Sequence, residues 1–528
     1  LTPSNPSKET PGFSRNPPRT WNAISVSERF RSLFGTGKLL VATHREPVIV
    51  QTIPKDSSPE GEALKLRYPA GGVSQSLHRL LLQTGGDWVS LKSSPGPSSL
   101  EITLPGYPAT YNLFRISIED SSRNEEYQRF SNDLLWPLFH EEPGRVGARP
   151  GDFTGYEMVN RLFADHILRI TRNHEVGVLW IHDYQLTQVA KELRSKATAV
   201  IPPIAFFWHI PWPRPEFLAN LPERRDLLEG LLDYDFLGFQ TALYRERFLE
   251  SVARDFSGNT RVTVSPRLVV KDGRRIHVGD YPIGVDPIRF ESLSLDPKGQ
   301  SDARGFLREH GIGPEERLLI SVDRMDYTKG FLKRLQILES LFRNFPEWIG
   351  KIRLLQIAPL TRSGHSTYQG YQKKVRDAVM TANERWRRGD WFPVVSIEQT
   401  VEHRILAPLY RMAAGALVTS TNDGMNLVAK EYLAAQKDEG GILFLSRYTG
   451  AAQGLREAVL IDPFDPSTAA AIIHRALGEP LSIRTGRNKI LRDQISRNNI
   501  FQWMGSILTG IHAAELEKRD RAEKSGAG

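Results

Sequence analysis

At 528 residues the chain exceeds what a single hydrophobic core organises, so two domains of about 200–250 residues are expected. Its 69 Lys and Arg are dispersed among 61 Asp and Glu, and the densest basic run, Arg385-Trp386-Arg387-Arg388, ends a predicted helix, which argues against a nucleic-acid partner. With no cysteine there is no disulfide framework, thiolate metal site or thiol nucleophile, and no run of about 18 apolar residues is present to span a membrane, so a cytoplasmic protein is expected.

Residues 1–22, rich in Pro, Ser, Asn and Thr and without an apolar core, read as a disordered leader. Short apolar runs then alternate with amphipathic stretches: Leu39–Thr43 with Val73–Gln83, Val176–Ile181 with Thr187–Arg194, Ile204–His209 with Arg224–Leu232, and Phe236–Gln240 with Ala242–Asp255. This is the pattern of parallel βα units. The polar segment Pro54 to Arg67 reads as an inserted loop or hairpin. Beyond Tyr281-Pro282-Ile283-Gly284-Val285-Asp286 the alternation resumes, with strands at Leu318–Val322, Ile352–Ile357, Val394–Ile397, Ala416–Thr419 and Ile442–Leu445. The expected fold class is therefore α/β, with two doubly wound parallel sheets: an N-terminal domain over 23–285 and a C-terminal domain over 286–499. A helix at 500–516 and a flexible tail at 517–528 complete the chain.

In doubly wound sheets ligands sit at the carboxyl ends of the strands, where connections diverge. The polar motifs fall there, which places the site in an interdomain cleft. Arg324 and Lys329, in Ser-Val-Asp-Arg-Met-Asp-Tyr-Thr-Lys-Gly, put two cations five residues apart after an apolar strand, a spacing suited to one diphosphate; surface ion pairs with Asp323 and Asp326 are the plainer reading. In Asn422-Asp-Gly-Met-Asn-Leu-Val-Ala-Lys-Glu431 a polar loop turns into a helix whose first N–H groups can take anionic oxygens. There Glu431 can accept two ribose hydroxyls, and Asp423 is a polar ligand or simply an N-cap.

Gly71-Gly72 opens the helix at 73–82, permitting close backbone approach to a phosphate or marking a plain turn. Trp180-Ile-His-Asp-Tyr184 and Phe206-Phe-Trp-His-Ile-Pro211 end two strands, so Asp183 and His209 can grip sugar hydroxyls, with a satisfied core histidine as the alternative. Tyr127 and Trp136, nine residues apart, are core aromatics or a sugar-stacking pair. Asp233-Tyr234-Asp235 matches an Asp-x-Asp metal pattern but lies away from these loops, and the histidines lack zinc-motif spacing, so no metal is expected.

These motifs together resemble the trehalose-6-phosphate synthase family, retaining glycosyltransferases of the GT-B fold, whose domains are Rossmann-like. The likeness runs from about residue 38 to 510 through Trp180–Tyr184, Phe207–Pro213, Leu228–Thr241, Arg324–Gly330, Ala358–Arg362 and Asp423–Gln436. It implies transfer of glucose from UDP-glucose to glucose 6-phosphate, with no cofactor. By that analogy Gly72, Arg324 and Lys329 hold the donor diphosphate and Asn426, Leu427 and Val428 cap it. Glu431 takes the ribose, Val401 lies near the uracil, and His209 and Asp423 bind donor-glucose hydroxyls. The acceptor is held by Arg45, Tyr127, Trp136, Asp183 and Arg362. Arg324, Lys329, Asp183, His209 and Asp423 are the catalytic set. The last helix crosses back to the first domain.

The chain departs from the family at Thr43-His44-Arg45-Glu46-Pro47, which is closer to glucosylglycerol-phosphate synthases; glycerol 3-phosphate is therefore the alternative acceptor. Thr361-Arg362 followed by Tyr368, and Phe130-Ser131-Asn132 before Trp136, follow the glucose-6-phosphate pattern. Thr421-Asn422 stands where the family usually has Arg before Asp423, and Val401 replaces an aromatic, leaving the nucleotide open. A non-catalytic sugar-phosphate-binding regulator is a third reading, opposed by the presence of Arg324, Lys329 and Glu431. Nothing in the sequence decides between a monomer and a homo-oligomer.

Overall fold

The computed structural model describes residues 22–52, 64–67, 72–147, 149, 151–362, 366–437 and 439–526. The leader expected over 1–22 thus lies, except for Asn22, outside the described residues.

Two sheets frame the molecule. The ten-stranded first sheet has a parallel centre running in space Arg274–Asp280, Phe236–Phe239, Ile204–Trp208, Val176–His182, Lys38–Ala42, Gly86–Leu91, Tyr111–Ile116. Antiparallel strands finish its edges, Ser99–Ile102 on one side and Val262–Ser265 with Leu268–Lys271 on the other. The six-stranded second sheet is parallel throughout, in the order Val394–Ile397, Ile352–Ile357, Arg317–Val322, Gly415–Val418, Ile442–Ser446, Val459–Ile461. Central strands are covered on both faces, which is why Leu39-Leu40-Val41-Ala42 and Val178-Leu179-Trp180-Ile181 are wholly buried runs without alternation.

Each sheet reverses its winding once. The first does so between Lys38–Ala42 and Val176–His182, the second between Arg317–Val322 and Gly415–Val418. Arg45 and Asp183 follow the first pair; Arg324 and Asp423 follow the second. The segment after the first strand forms a two-stranded hairpin, Ile49–Thr52 against Leu64–Arg67.

The helix Ile500–Gly526 returns to the first sheet. Trp503 packs on Trp180 at 5.2 Å and on Phe207 at 5.0 Å between ring centroids, and Gly510 admits the Phe236 ring, which a Cβ there would meet at 2.8 Å. It runs past the boundary expected at 516, where charge alone suggested fraying. The Ala, Glu, Lys and Arg of that stretch are strong helix formers, and Arg519 to Glu515 and Glu517 to Arg275 add side-chain ties.

Candidate active site

The cleft between the two sheets encloses about 400 Å³ and is lined by residues from both winding reversals. The halves touch closely at its base. A Cβ on Gly424 would sit 2.1 Å from the His209 carbonyl oxygen, so only glycine lets this loop meet the end of strand Ile204–Trp208.

From the second half come the two cations. Lys329 ends a 3₁₀ turn, Tyr327–Lys329, followed by Gly330 at φ 67°, where the chain passes so near the Thr419 carbonyl that a Cβ would lie 2.0 Å from it. Its ammonium is ion-paired with Asp423, 94 residues away in sequence. Burial pushes the Asp423 carboxyl up, but Lys329 and the Asn426 amide overcome this and hold it below the usual carboxylate range. Burial likewise pulls Lys329 down, yet Asp423 and Asp323 leave it raised.

Arg324 has a different setting. The two aspartates that could have neutralised it are engaged elsewhere: Asp323 bonds the fully buried Arg334 at 2.9 Å, and Asp326 accepts from the Thr328 N–H at 3.0 Å and faces Arg362 at 3.6 Å. Among the described residues Arg324 has no carboxylate partner, so the surface ion-pair reading of this cation does not hold. Opposite it, the helix Leu427–Ala435 begins at Asn426, whose side chain caps the Ala429 N–H at 3.0 Å. The N-cap is thus Asn426 and not Asp423. Leu427 and Val428 present the first turn to the cleft, and Glu431 lies one turn on.

Glu431 is buried and meets the Tyr410 hydroxyl at 3.4 Å; burial pushes its carboxyl up to about 7 against the opposing pull of Arg289 and Tyr410. Val401 lines the cleft near this end, and Gly72 begins the helix Gly72–Thr84, whose Val73 and Ser74 line it from the first half.

The first half contributes Arg45, Trp136, Asp183 and His209 to the cleft lining. Arg45 projects into the open cleft, its guanidinium lowered to about 10 by Arg324 first, then by burial and Arg362. Three guanidiniums therefore converge; among the described residues neither Arg45 nor Arg324 is in an ion pair and Asp183 offsets only part of their charge, an electrostatic setting that suits an anion. Arg362 lies 4.2 Å over the Trp136 ring and donates to the Tyr184 hydroxyl at 3.1 Å. Asp183 accepts from the Tyr184 and His209 N–H groups at 3.0 and 3.4 Å; burial raises it to about 6. Burial also drops His209 to about 3, so the ring is neutral at pH 7, with Gln240 on Nδ1 at 3.3 Å and His182 on Nε2 at 3.1 Å. Asp183, Arg362 and Asn426 have φ of 74°, 50° and 79°, a strained backbone for non-glycine residues, and all three line the cleft.

Tyr127 is not on the wall. Tyr127 is fully buried, its ring stacked on Tyr156 at 6.1 Å and its hydroxyl bonded to His44 Nδ1 at 2.7 Å, so it backs His44 instead of touching a ligand. A regular α-helix points residues nine apart to opposite sides; the π-helical turn Phe130–Leu135 between them re-phases the chain and carries Trp136 to the cleft. His44, His140 and Tyr184 line the cleft without having been singled out. His44 and Tyr184 were legible as neighbours of Arg45 and Asp183; His140, bonded through Nδ1 to the Trp136 carbonyl at 2.7 Å, gave no signal. The Asp-x-Asp motif is structural: Asp233 pairs with Arg274 and Lys271, Asp235 with Arg194.

Residues 37–513 match the protein family Glycosyltransferase family 20. The trehalose-6-phosphate synthase of Enterobacter sp. (strain 638) is 36% identical over 446 residues, covering 84% of this chain and 91% of the relative. Among solved structures, an α,α-trehalose-phosphate synthase (UDP-forming) from Burkholderia xenovorans in complex with glucose-6-phosphate superposes with a TM-score of 0.78 at 31% identity, over 90% of this chain and 100% of that one. An E. coli structure bound with UDP-2-fluoro glucose gives 0.77 at 31% identity, over 90% and 99%.

Proposed function

The chain belongs to glycosyltransferase family 20, and we propose that it transfers glucose, with retention, from UDP-glucose to glucose 6-phosphate, releasing UDP and α,α-trehalose 6-phosphate. The observation that carries this reading is that Arg324, which is in no ion pair among the described residues, lines one cleft with Lys329, the first turn of the helix Leu427–Ala435, Arg45 and Arg362. One anion fits between the helix start and Arg324 with Lys329, a second between Arg45 and Arg362. A nucleoside diphosphate sugar and a phosphorylated acceptor supply those two anions. Residues 23–285 then form the acceptor domain and 286–499 the donor domain, with the last helix bracing them. No described helix is long and apolar enough to cross a membrane; with the absence of cysteine, a cytoplasmic setting is inferred.

In this GT-B cleft the bond from the anomeric carbon to the diphosphate breaks while the acceptor's anomeric hydroxyl attacks from the same face. Its proton passes to the departing phosphate oxygen. Arg324 and Lys329 stabilise the charge that grows on that oxygen, and the N–H groups of Leu427 and Val428 add the partial charge of the helix end. Neutral His209 and ionised Asp183 orient sugar hydroxyls. Lys329 has three donors, so it can hold Asp423 with one and turn another to the diphosphate, while the second oxygen of Asp423 accepts from donor-glucose hydroxyls.

Release of UDP from UDP-glucose, measured with glucose 6-phosphate and with glycerol 3-phosphate, tests the reading. Turnover with glycerol 3-phosphate alone would transfer the assignment to glucosylglycerol-phosphate synthesis. The His-Arg-Glu-Pro departure weighs little toward that outcome beyond His44, because Glu46 is buried against Arg115 and Ser93 and only His44 and Arg45 face the cleft.

Arg362 contacts the acceptor phosphate in ground and transition states alike, so Arg362→Ala should raise KM for the acceptor by about tenfold or more while kcat falls less. An unchanged acceptor KM removes it from the site. For the donor, an ionised Glu431 accepts ribose hydroxyls and a protonated one does so poorly. With its carboxyl raised to about 7, the donor KM should climb as pH falls through that value. Glu431→Gln should raise the donor KM throughout and abolish this climb; a climb that persists in Glu431→Gln assigns it to another group.

A further inference from the structure

A second cavity, of about 200 Å³, lies behind the cleft where the chain passes between the two halves. Gln240 and Met425 line both spaces and form the partition. Its walls come from Thr241 and Pro282 of the first half and from Lys430, Gln453, Gln494 and Asn498 of the second.

Lys430 is the unusual member. It is 6% exposed, one of its three donors goes to the Ile283 carbonyl, and among the described residues no carboxylate pairs with it. The other charged residue of the lining, Asp280, is taken by Arg245 and Arg267. Burial without a counter-charge pulls the Lys430 ammonium down to about 7. Independently, the carbonyl oxygen Oε1 of Gln494 is buried with no donor, while its Nε2 bonds Glu457 at 2.6 Å. A buried cation without a counter-charge thus lines a space that holds about seven waters' volume, beside the Gln494 side chain, whose Oε1 lies just beneath the wall.

We propose that this hinge cavity is a binding site, separate from the cleft, for a small hydroxylated anion, a hydroxy acid or a sugar-phosphate-sized ester, with its charged group on Lys430 and its hydroxyls along the polar wall. An anion restores the missing counter-charge, and amide and hydroxyl groups of Thr241, Gln453 and Asn498 complete a polar cradle. The occupant would touch the residue preceding Glu431 and, through Gln240, the partner of His209.

Calorimetric titration of gluconate and, separately, of glycerol 2-phosphate into enzyme saturated with UDP and glucose 6-phosphate tests this. Saturable binding of either is expected; gluconate alone marks a carboxylate site, glycerol 2-phosphate alone a phosphate-ester site. Lys430→Met should weaken binding about tenfold, the loss of one charged hydrogen bond. Gly454→Phe, placed at the rim where a Cβ meets nothing within 4 Å, should abolish binding with turnover retained, and it decides the matter if Lys430→Met fails to fold. The same pair of titrations without UDP and glucose 6-phosphate separates this site from the reading of the cleft: binding that Gly454→Phe removes counts for the hinge site whatever the cleft takes. Absence of binding to the parent protein, or binding unchanged in the folded variants, overturns the proposal.

Discussion

Arg324→Ala should lower kcat about 10²- to 10³-fold, the usual consequence of removing one preorganised donor from a developing anion, and leave the melting temperature little changed. The two halves of that statement have separate causes. Arg324 faces charge that accumulates only as the glycosidic bond breaks, so its loss falls on kcat more than on donor affinity. In the unliganded protein the same guanidinium is in no ion pair among the described residues; it lowers the pKa of Arg45 and favours the ionised forms of Asp183 and Asp326. Removing it relieves the repulsion and weakens that support, two effects of opposite sign, and strands no paired carboxylate. Initial rates of UDP release at saturating donor and acceptor, with thermal denaturation alongside, check both; a kcat within tenfold of the parent would remove Arg324 from the reacting centre.

Lys329→Ala should be as inactive but also less stable, by about 3 kcal/mol, because it strands a buried carboxylate. Asp423 is 9% exposed and depends on Lys329 to stay ionised. The loss is expected above the ordinary carboxylate range and should shrink as pH falls and Asp423 takes up a proton. Sign and window follow from Asp423 having its folded pKa depressed: the stabilisation is present above its unfolded value and is lost on acidification through the folded one. Adding Asp423→Asn to Lys329→Ala should restore most of the stability and none of the activity. If Lys329→Ala melts like the parent at pH 8, the ion pair contributes little; if it retains turnover, the assignment to the diphosphate fails.

Much of the frame was legible because parallel strands buried on both faces leave continuous apolar runs such as Leu39–Ala42 and Ile352–Ile357. The edges were not. Ser99–Ile102 and Val262–Ser265 are four-residue strands whose half-exposed alternation gives too few apolar positions to stand out from a loop. At the site, cations and helix start could be read from local spacing, since Arg324, Lys329 and Asn426–Glu431 each lie within one βα turn. What no local pattern carries is who neutralises whom: the pairing of Lys329 with Asp423, and of Asp323 with Arg334 instead of Arg324, is decided by how strands separated in sequence stand side by side. Tyr127 has the core setting that its sequence allowed, and the acceptor role came from the resemblance alone; Trp136 reaches the cleft across a π-helical turn that no local spacing announces.

The returning helix also bears on biosynthesis. Trp180, Phe207 and Phe236 obtain part of their cover from Trp503 and Gly510, so the N-terminal lobe, made before the second, keeps an uncapped aromatic patch until the whole second lobe has been synthesised and the helix from Ile500 follows it. Translation that halts before the codon for Ile500 leaves that patch bare and sticky, which makes synthesis of the returning helix the event that seals the first lobe.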